Sequence, residues 1–148
     1  MNRQSKPNSF IIRDYRQDDF EEIKQLWKIT DMGDPKRGDD KKTIENTIRI
    51  GGTMLVMEEK SSGRICGTSW MTFDGRRIHL HHFGILPEFR RKGLATLLLN
   101  ESLKFVKGKR CQVKLEVQRS NSQAINLYKK AGFSYLGDYD VYIIRDVD

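Results

Sequence analysis

The sequence predicts a mixed α/β domain, a central and mostly antiparallel sheet flanked by helices, in the order β-α-α-β-β-β-α-β-α-β-β. Three observations carry that prediction. Apolar residues keep a helical period in two stretches before residue 50, and an extended period takes over from Thr53. Residues 86–100, LPEFRRKGLATLLLN, join a strand end to a basic, glycine-containing turn and an apolar helix. Residues 113–118, VKLEVQ, alternate Val113, Leu115 and Val117 with Lys114, Glu116 and Gln118, the pattern of a half-buried strand.

In order, residues 10–15 read as the first strand. Asp18 or Asp19 caps the helix that follows, where Phe20, Ile23, Leu26 and Trp27 share one face. Residues 31–40 have turn chemistry throughout, because Gly, Pro and Asp each disfavour regular structure. A second helix covers about 40–50, with Ile44, Ile48 and Thr47 inward. Strands follow at 53–58, 64–73 and 77–86, the last two joined by Asp74-Gly75 as a two-residue hairpin. Pro87 lacks an N–H and ends the third. Leu94, Leu97 and Leu98 then place a helix from about Lys92 until Gly108 stops it. Residues 112–118 form a strand. Ser120 or Asn121 caps a helix carrying Ala124 and Tyr128, and Gly132 ends it. Residues 133–136 and 139–145 read as a final strand pair joined near Gly137-Asp138.

Length and composition narrow the function classes. At 148 residues the chain is one domain, residues 1–148, with 1–8 read as a flexible N-terminal segment. Its 37% hydrophobic and 32% charged residues describe a globular protein, with neither a membrane-length apolar run nor a secretory signal, so the expected location is cytoplasmic. Cys66 and Cys111 are too few for a disulfide framework and read as reduced buried thiols. The net charge of +7 invites a nucleic-acid partner. The cations are nevertheless dispersed. Their densest groups are Arg90, Arg91 and Lys92 at the turn, and Lys104, Lys107, Lys109 and Arg110 at a helix end, where the dipole favours them.

The first of those groups forms an anion cradle. The helix after Gly93 has orphan N–H groups and the positive end of its dipole. Arg90, Arg91 and Lys92 add charge, while Gly93 and Ala95 keep bulk away, so a pyrophosphate can approach bare backbone. Arg90-Arg91-Lys92-Gly93-Leu94-Ala95 resembles the Arg/Gln-x-x-Gly-x-Gly/Ala signature of the GNAT family, the GCN5-related N-acetyltransferases. Asn121, Ala124, Leu127, Tyr128, Gly132 and Phe133 are similar to that family's second segment, Asn-x-x-Ala-x-x-Leu-Tyr…Gly-Phe. Ala95 departs from the second glycine of many members. The resemblance runs from about Ser9 to Arg145 and is weakest over 31–50.

The resemblance implies an acetyl-CoA-dependent N-acetyltransferase that moves an acetyl group to a primary amine by direct transfer in a ternary complex. It implies that Arg90, Arg91, Lys92, Gly93, Leu94, Ala95 and Thr96 hold the pyrophosphate of acetyl-CoA. The pantetheine arm would run along Phe83 and Ile85, and Asn121 and Tyr128 would join the cofactor site. The loop between the first two helices would help form the acceptor site, where Asp31 and Asp34 meet a cationic amine or merely order a turn. The alternative is a non-catalytic acyl-CoA-binding or sensing module, which keeps the cradle without the acid and base. A nucleic-acid-binding domain ranks below both.

An amine attacking a thioester needs a proton acceptor, donors for the carbonyl oxygen, and a proton for the leaving thiolate. Backbone N–H groups near the end of strand 77–86 supply the donors. Glu116 and Tyr128, twelve positions apart, resemble the base and acid of ribosomal-protein N-terminal alanine acetyltransferases. A solvated or ion-paired Glu116 is the plain alternative. His79 and His81 share one strand face and His82 points to the other, which argues against a metal site. His81 is a second candidate base, lining the acceptor pocket and titrating near neutrality. Trp70 and Met71 form an apolar wall there, or simply pack. The acceptor, whether a peptide N-terminus, a lysine side chain or a small amine, and a homodimeric state are left open.

Overall fold

The computed structural model describes residues 7–148. The N-terminal segment expected to be flexible thus lies largely outside the described residues. The chain divides into two compact units, residues 1–116 and 117–148.

The first unit holds a five-stranded sheet in the order β1-β2-β3-β4-β5. Its strands are β1 (Phe10–Asp14), β2 (Thr53–Glu59), β3 (Ile65–Phe73), β4 (Arg77–Ile85) and β5 (Gln112–Leu115). β1 to β4 are antiparallel neighbours, and β5 joins β4 in parallel. Helices α1 (Phe20–Thr30) and α2 (Lys41–Arg49) cover one face: Trp27 of α1 and Thr47 of α2 hydrogen-bond to Thr68 and Trp70, two positions apart on β3. Helix α3 (Leu94–Lys109) covers the other face, where the Ser102 and Ser69 hydroxyls meet at 2.7 Å. β3 is therefore buried on both sides. On α1, Ile23, Leu26 and Trp27 are buried as their spacing predicts. Burying three such side chains contributes about 6 kcal/mol. Among the described residues no helix is long and apolar enough to cross a membrane.

Several local readings need correction. Asp19 precedes α1 without capping it, because its carboxylate takes two hydrogen bonds from Arg13 and one from the Arg16 N–H. Burial alone would raise the Asp19 pKa, but these donors hold it below the usual value. The β3–β4 turn centres on Gly75 and Arg76, since the Asp74 carboxylate binds the N–H groups of Arg76 and Arg77 and φ is +88° at Gly75. Helix α3 begins at Leu94, not Lys92, because Arg91 and Gly93 have left-handed φ values of +63° and +76°. It passes through Gly108, and Arg110 at φ +54° ends it. β5 stops at Leu115, three residues early. Cys66 is buried on β3, whereas Cys111 is half-buried and precedes β5; both are free thiols.

The second unit contains α4 (Ser122–Lys130), capped by the Asn121 side chain on the Ala124 N–H at 3.2 Å. Gly132, at φ +105°, lets the Phe133 N–H return to the Tyr128 carbonyl at 3.0 Å. A turn forms at Gly137-Asp138 as expected, but residues 133–136 and 139–145 are not strands. A strand exists through its ladder, and here no ladder forms; Tyr142 is 91% exposed.

Candidate active site

The cradle is built from local constraints. Past β4, Leu86 is buried and its N–H bonds the Cys66 carbonyl at 2.8 Å, tying the turn to β3. Pro87–Phe89 makes one 3-10 turn, and the Arg90 Nε donates back to the Ile85 carbonyl at 2.9 Å. Gly93 stands at the N-cap of α3 with no side chain to cap the first turn, so the N–H groups of Leu94, Ala95 and Thr96 lack that partner. A Cβ built on Gly93 would meet nothing within 4 Å. Arg90, Arg91, Lys92 and Thr96 are exposed around this opening. Leu94 and Ile85 are buried, so they offer backbone only. An open N-terminus of a 16-residue helix beside exposed cations fits a pyrophosphate.

Beside the cradle, β4 and β5 part company. Their pairing ends at Leu80↔Leu115, while β4 runs on through Ile85. Within that extension the β3–β4 register shifts between Thr68 and Trp70, so His82 and Phe83 lie opposite Ser69 alone. This is a β-bulge, and His82 has φ +43°.

The bulge overturns one expectation about the histidines. Alternation sends His82 to the face opposite His81, but the extra residue turns its ring toward the face covered by α1 and α2, 4.5 Å from Trp27 and 5.2 Å from Trp70 between centroids. His79 and His81 do share a face, with centroids 3.8 Å apart. His81 does not titrate near neutrality. Burial, with His79, His82 and Lys114 as neighbours, pushes it down to about 3, and its Nε2 lies 2.9 Å from the Thr72 hydroxyl. Burial also lowers His79, against the pull of Glu116, whose Oε1 is 3.8 Å from His79 Nε2. Among the described residues no three metal-ligating side chains converge.

Asp31 has φ +55° and closes α1, while Asp34 accepts the Lys36 N–H and faces Arg37 at 3.6 Å. Asp39, which the sequence did not single out, accepts the Asp34 N–H at 2.9 Å and lies 3.3 Å from His82 Nε2, without hydrogen-bond alignment. Burial lowers the His82 pKa, and Asp39 opposes that. Trp70 and Met71 cannot form one wall: both are buried, but neighbouring strand residues face opposite ways. A surface depression of about 420 Å³, lined by Arg13, Glu101 and Lys104, lies away from these residues.

In the second unit, Tyr128 packs edge-on against Phe133, centroids 5.6 Å apart, and burial pushes its phenol up to about 12. Asn121 serves as the α4 cap. Glu116 is exposed and follows the end of β5. The sequence reading placed Trp27 in the core and gave neither it nor Thr68, its hydrogen-bond acceptor, a part in the site. A buried indole needs an acceptor for its N–H, and that was the available signal.

Residues 12–133 match the Acetyltransferase (GNAT) family, and the chain belongs to it. Among solved structures, an acetyltransferase of Trypanosoma brucei is similar at 21% identity and a TM-score of 0.72, over 93% of this chain and 99% of that one. The ribosomal-protein-S18-alanine N-acetyltransferase of Escherichia coli is 18% identical over 84% of this chain and 77% of its own, with a TM-score of 0.71. An aminoglycoside N-acetyltransferase solved in complex with CoA is 17% identical, with a TM-score of 0.70, over 92% of this chain and all of its own (100%). These likenesses show the shared fold.

Proposed function

We propose that the protein transfers the acetyl group of acetyl-CoA to a primary amine, directly, with both substrates bound together. The observation that carries this reading is the open backbone at Gly93, flanked by Arg90, Arg91 and Lys92, at the start of α3. The N–H groups of Leu94, Ala95 and Thr96 would hold the pyrophosphate, and Asn121 would add a polar contact. The β4 backbone at Phe83 and Ile85 would take the pantetheine arm where β5 has turned away. When bound, acetyl-CoA supplies an activated acyl thioester.

The chain's own residues would handle the protons. Tyr128, with its phenol at about 12, is protonated at neutral pH and can donate to the departing sulfur. Glu116 would accept the amine proton, directly or through water, and His79 lies beside it. His81 is too weak a base for that task at its depressed pKa. On the acceptor side, Asp39 joins Asp31 and Asp34 as an acid that would sense a cationic amine: Asp31 closes α1 through its backbone N–H, the Asp34 carboxylate accepts the Lys36 N–H, and Asp39 lies beside His82. A cytoplasmic location belongs to the same reading.

The test is thiol release from acetyl-CoA across a panel of peptide, sugar and polyamine amines. Release with at least one amine supports transfer. Acetyl-CoA binding with no release from any amine would instead favour an acyl-CoA-binding module, and a salt-dependent shift of RNA or DNA would revive a nucleic-acid role.

A further inference from the structure

The most strained residue near the opening between β4 and β5 is His82, a non-glycine residue at φ +43° within a strand. Such a conformation persists only where the surroundings over-determine it. Here the restraint is a buried relay. The Trp27 Nε1–H donates to Thr68 Oγ1 at 2.9 Å, and Thr68 Oγ1 donates to the His82 carbonyl at 2.8 Å. The direction is fixed by chemistry, since an indole N–H only donates and a carbonyl only accepts. Thr68 has no exposed surface, so water cannot replace either bond.

This relay sets the orientation of one peptide group. The structure has no cis peptide bonds among its described residues, so the His82 carbonyl and the Phe83 N–H are antiparallel. Drawing the carbonyl toward Thr68 on β3 directs the Phe83 N–H away from β3. That is the side from which the β5 ladder has already departed at Leu80↔Leu115. Bulges re-aim groups in this way beside reactive sites.

We propose that Thr68, backed by Trp27, is a positioning residue that aims the Phe83 N–H at the acyl carbonyl oxygen of bound acetyl-CoA, a role that rests on the acetyl-transfer reading above. Thr68 touches neither substrate. It acts by preventing the 82–83 peptide from rotating into the regular ladder, where its N–H would face β3. The relay also couples the α1 core to the reacting carbonyl, so Trp27 contributes through its nitrogen as well as its bulk.

The comparison is between Thr68→Val, which keeps the shape and loses the hydroxyl, and Thr68→Ser, which keeps the hydroxyl. The readouts are the infrared carbonyl stretch of bound, carbonyl-labelled acetyl-CoA, the Kd for acetyl-CoA, kcat and Tm. The unaltered protein and Thr68→Ser should lower the stretch relative to free acetyl-CoA, and Thr68→Val should lose most of that shift. Its kcat should fall roughly 10²-fold while the Kd stays within about three-fold, the mark of a misdirected oxyanion donor. If Thr68→Val does not fold, Trp27→Phe decides, since it removes the upstream donor together with part of the indole's bulk and should weaken the shift in part. A wild-type carbonyl stretch in whichever variant folds overturns the role of Thr68 alone. Absence of acetyl-CoA binding by the unaltered protein overturns the acetyl-transfer reading and this role with it.

Discussion

Gly93 holds φ +76° with empty space where a Cβ would stand, so substitution there acts through the backbone and the ligand, not through clashes in the free protein. Gly93→Val should cost about 1–2 kcal/mol of stability for the left-handed conformation. It should also abolish acetyl-CoA binding, because the added bulk fills the cradle. Arg91→Ala removes charge and leaves the backbone accessible. A hydrogen bond to a charged group contributes about 1.5 to 3 kcal/mol, so binding should weaken by roughly 10- to 150-fold. Calorimetric titration of both variants distinguishes the two effects. Asp19 makes a different prediction at the same scale. Its carboxylate and Arg13 are 9% and 13% exposed, and breaking such a pair costs about 3 kcal/mol. Because the folded pKa is depressed, that stability is present above the unfolded value and is lost as pH falls through the folded one. Urea unfolding should show Asp19→Asn clearly weaker at pH 7 and the two proteins converging in strong acid.

At the scale of the element, β4 concentrates the titratable load of the first unit. His79, His81 and His82 all have pKa values depressed chiefly by burial, with Glu116 beside His79, Lys114 near His79 and His81, and Asp39 beside His82. For a depressed histidine the unfolded chain binds the proton first, so stability is full above about 6.5 and declines as pH falls toward the folded value. His81, at about 3, should contribute across that whole window. Unfolding free energies between about pH 6 and 4.5 should therefore slope downward, and His81→Gln should flatten the slope by about 1.4 kcal/mol per pH unit. An unchanged slope would mean that His81 is solvated. The same strand shows why part of the site was illegible in the sequence. HLHHFG reads as uninterrupted alternation, and nothing in those six residues announces that one of them is extra. The bulge arises from the pairing with β3, so the face of His82 followed from the partner strand.

At the scale of the whole molecule, the proposed acid and base lie in different compact units, Tyr128 in residues 117–148 and Glu116 in residues 1–116. Tyr128→Phe removes a hydroxyl, so acetyl-CoA should still bind within a few-fold while kcat falls by about 10²-fold, the lower end for a positioned acid. Glu116→Gln should lower kcat/KM most at low pH, where the amine is most protonated, with partial recovery at high pH. Steady-state profiles on a substrate found by thiol release check both. Full turnover in both variants would leave catalysis to proximity and the backbone donors.

From the sequence alone came the α/β class, the element order from β1 to α4, the glycine turn at Arg90 to Ala95 that leads into α3, and the family resemblance. All of these rest on short-range information: periodicity, turn residues and contiguous motifs are written within a few neighbours of each other. Tertiary structure decided what depends on partners distant in the chain. It removed Asp19 from its helix cap by giving it Arg13. It brought Asp39, rather than Asp31 or Asp34, beside His82. It left residues 139–145 outside any strand although their composition is strand-like. It also joined Trp27, Thr68 and His82, separated by 41 and 14 positions, into one hydrogen-bonded relay. A buried donor must find an acceptor, but which one it finds is settled only when the sheet and helix close on each other.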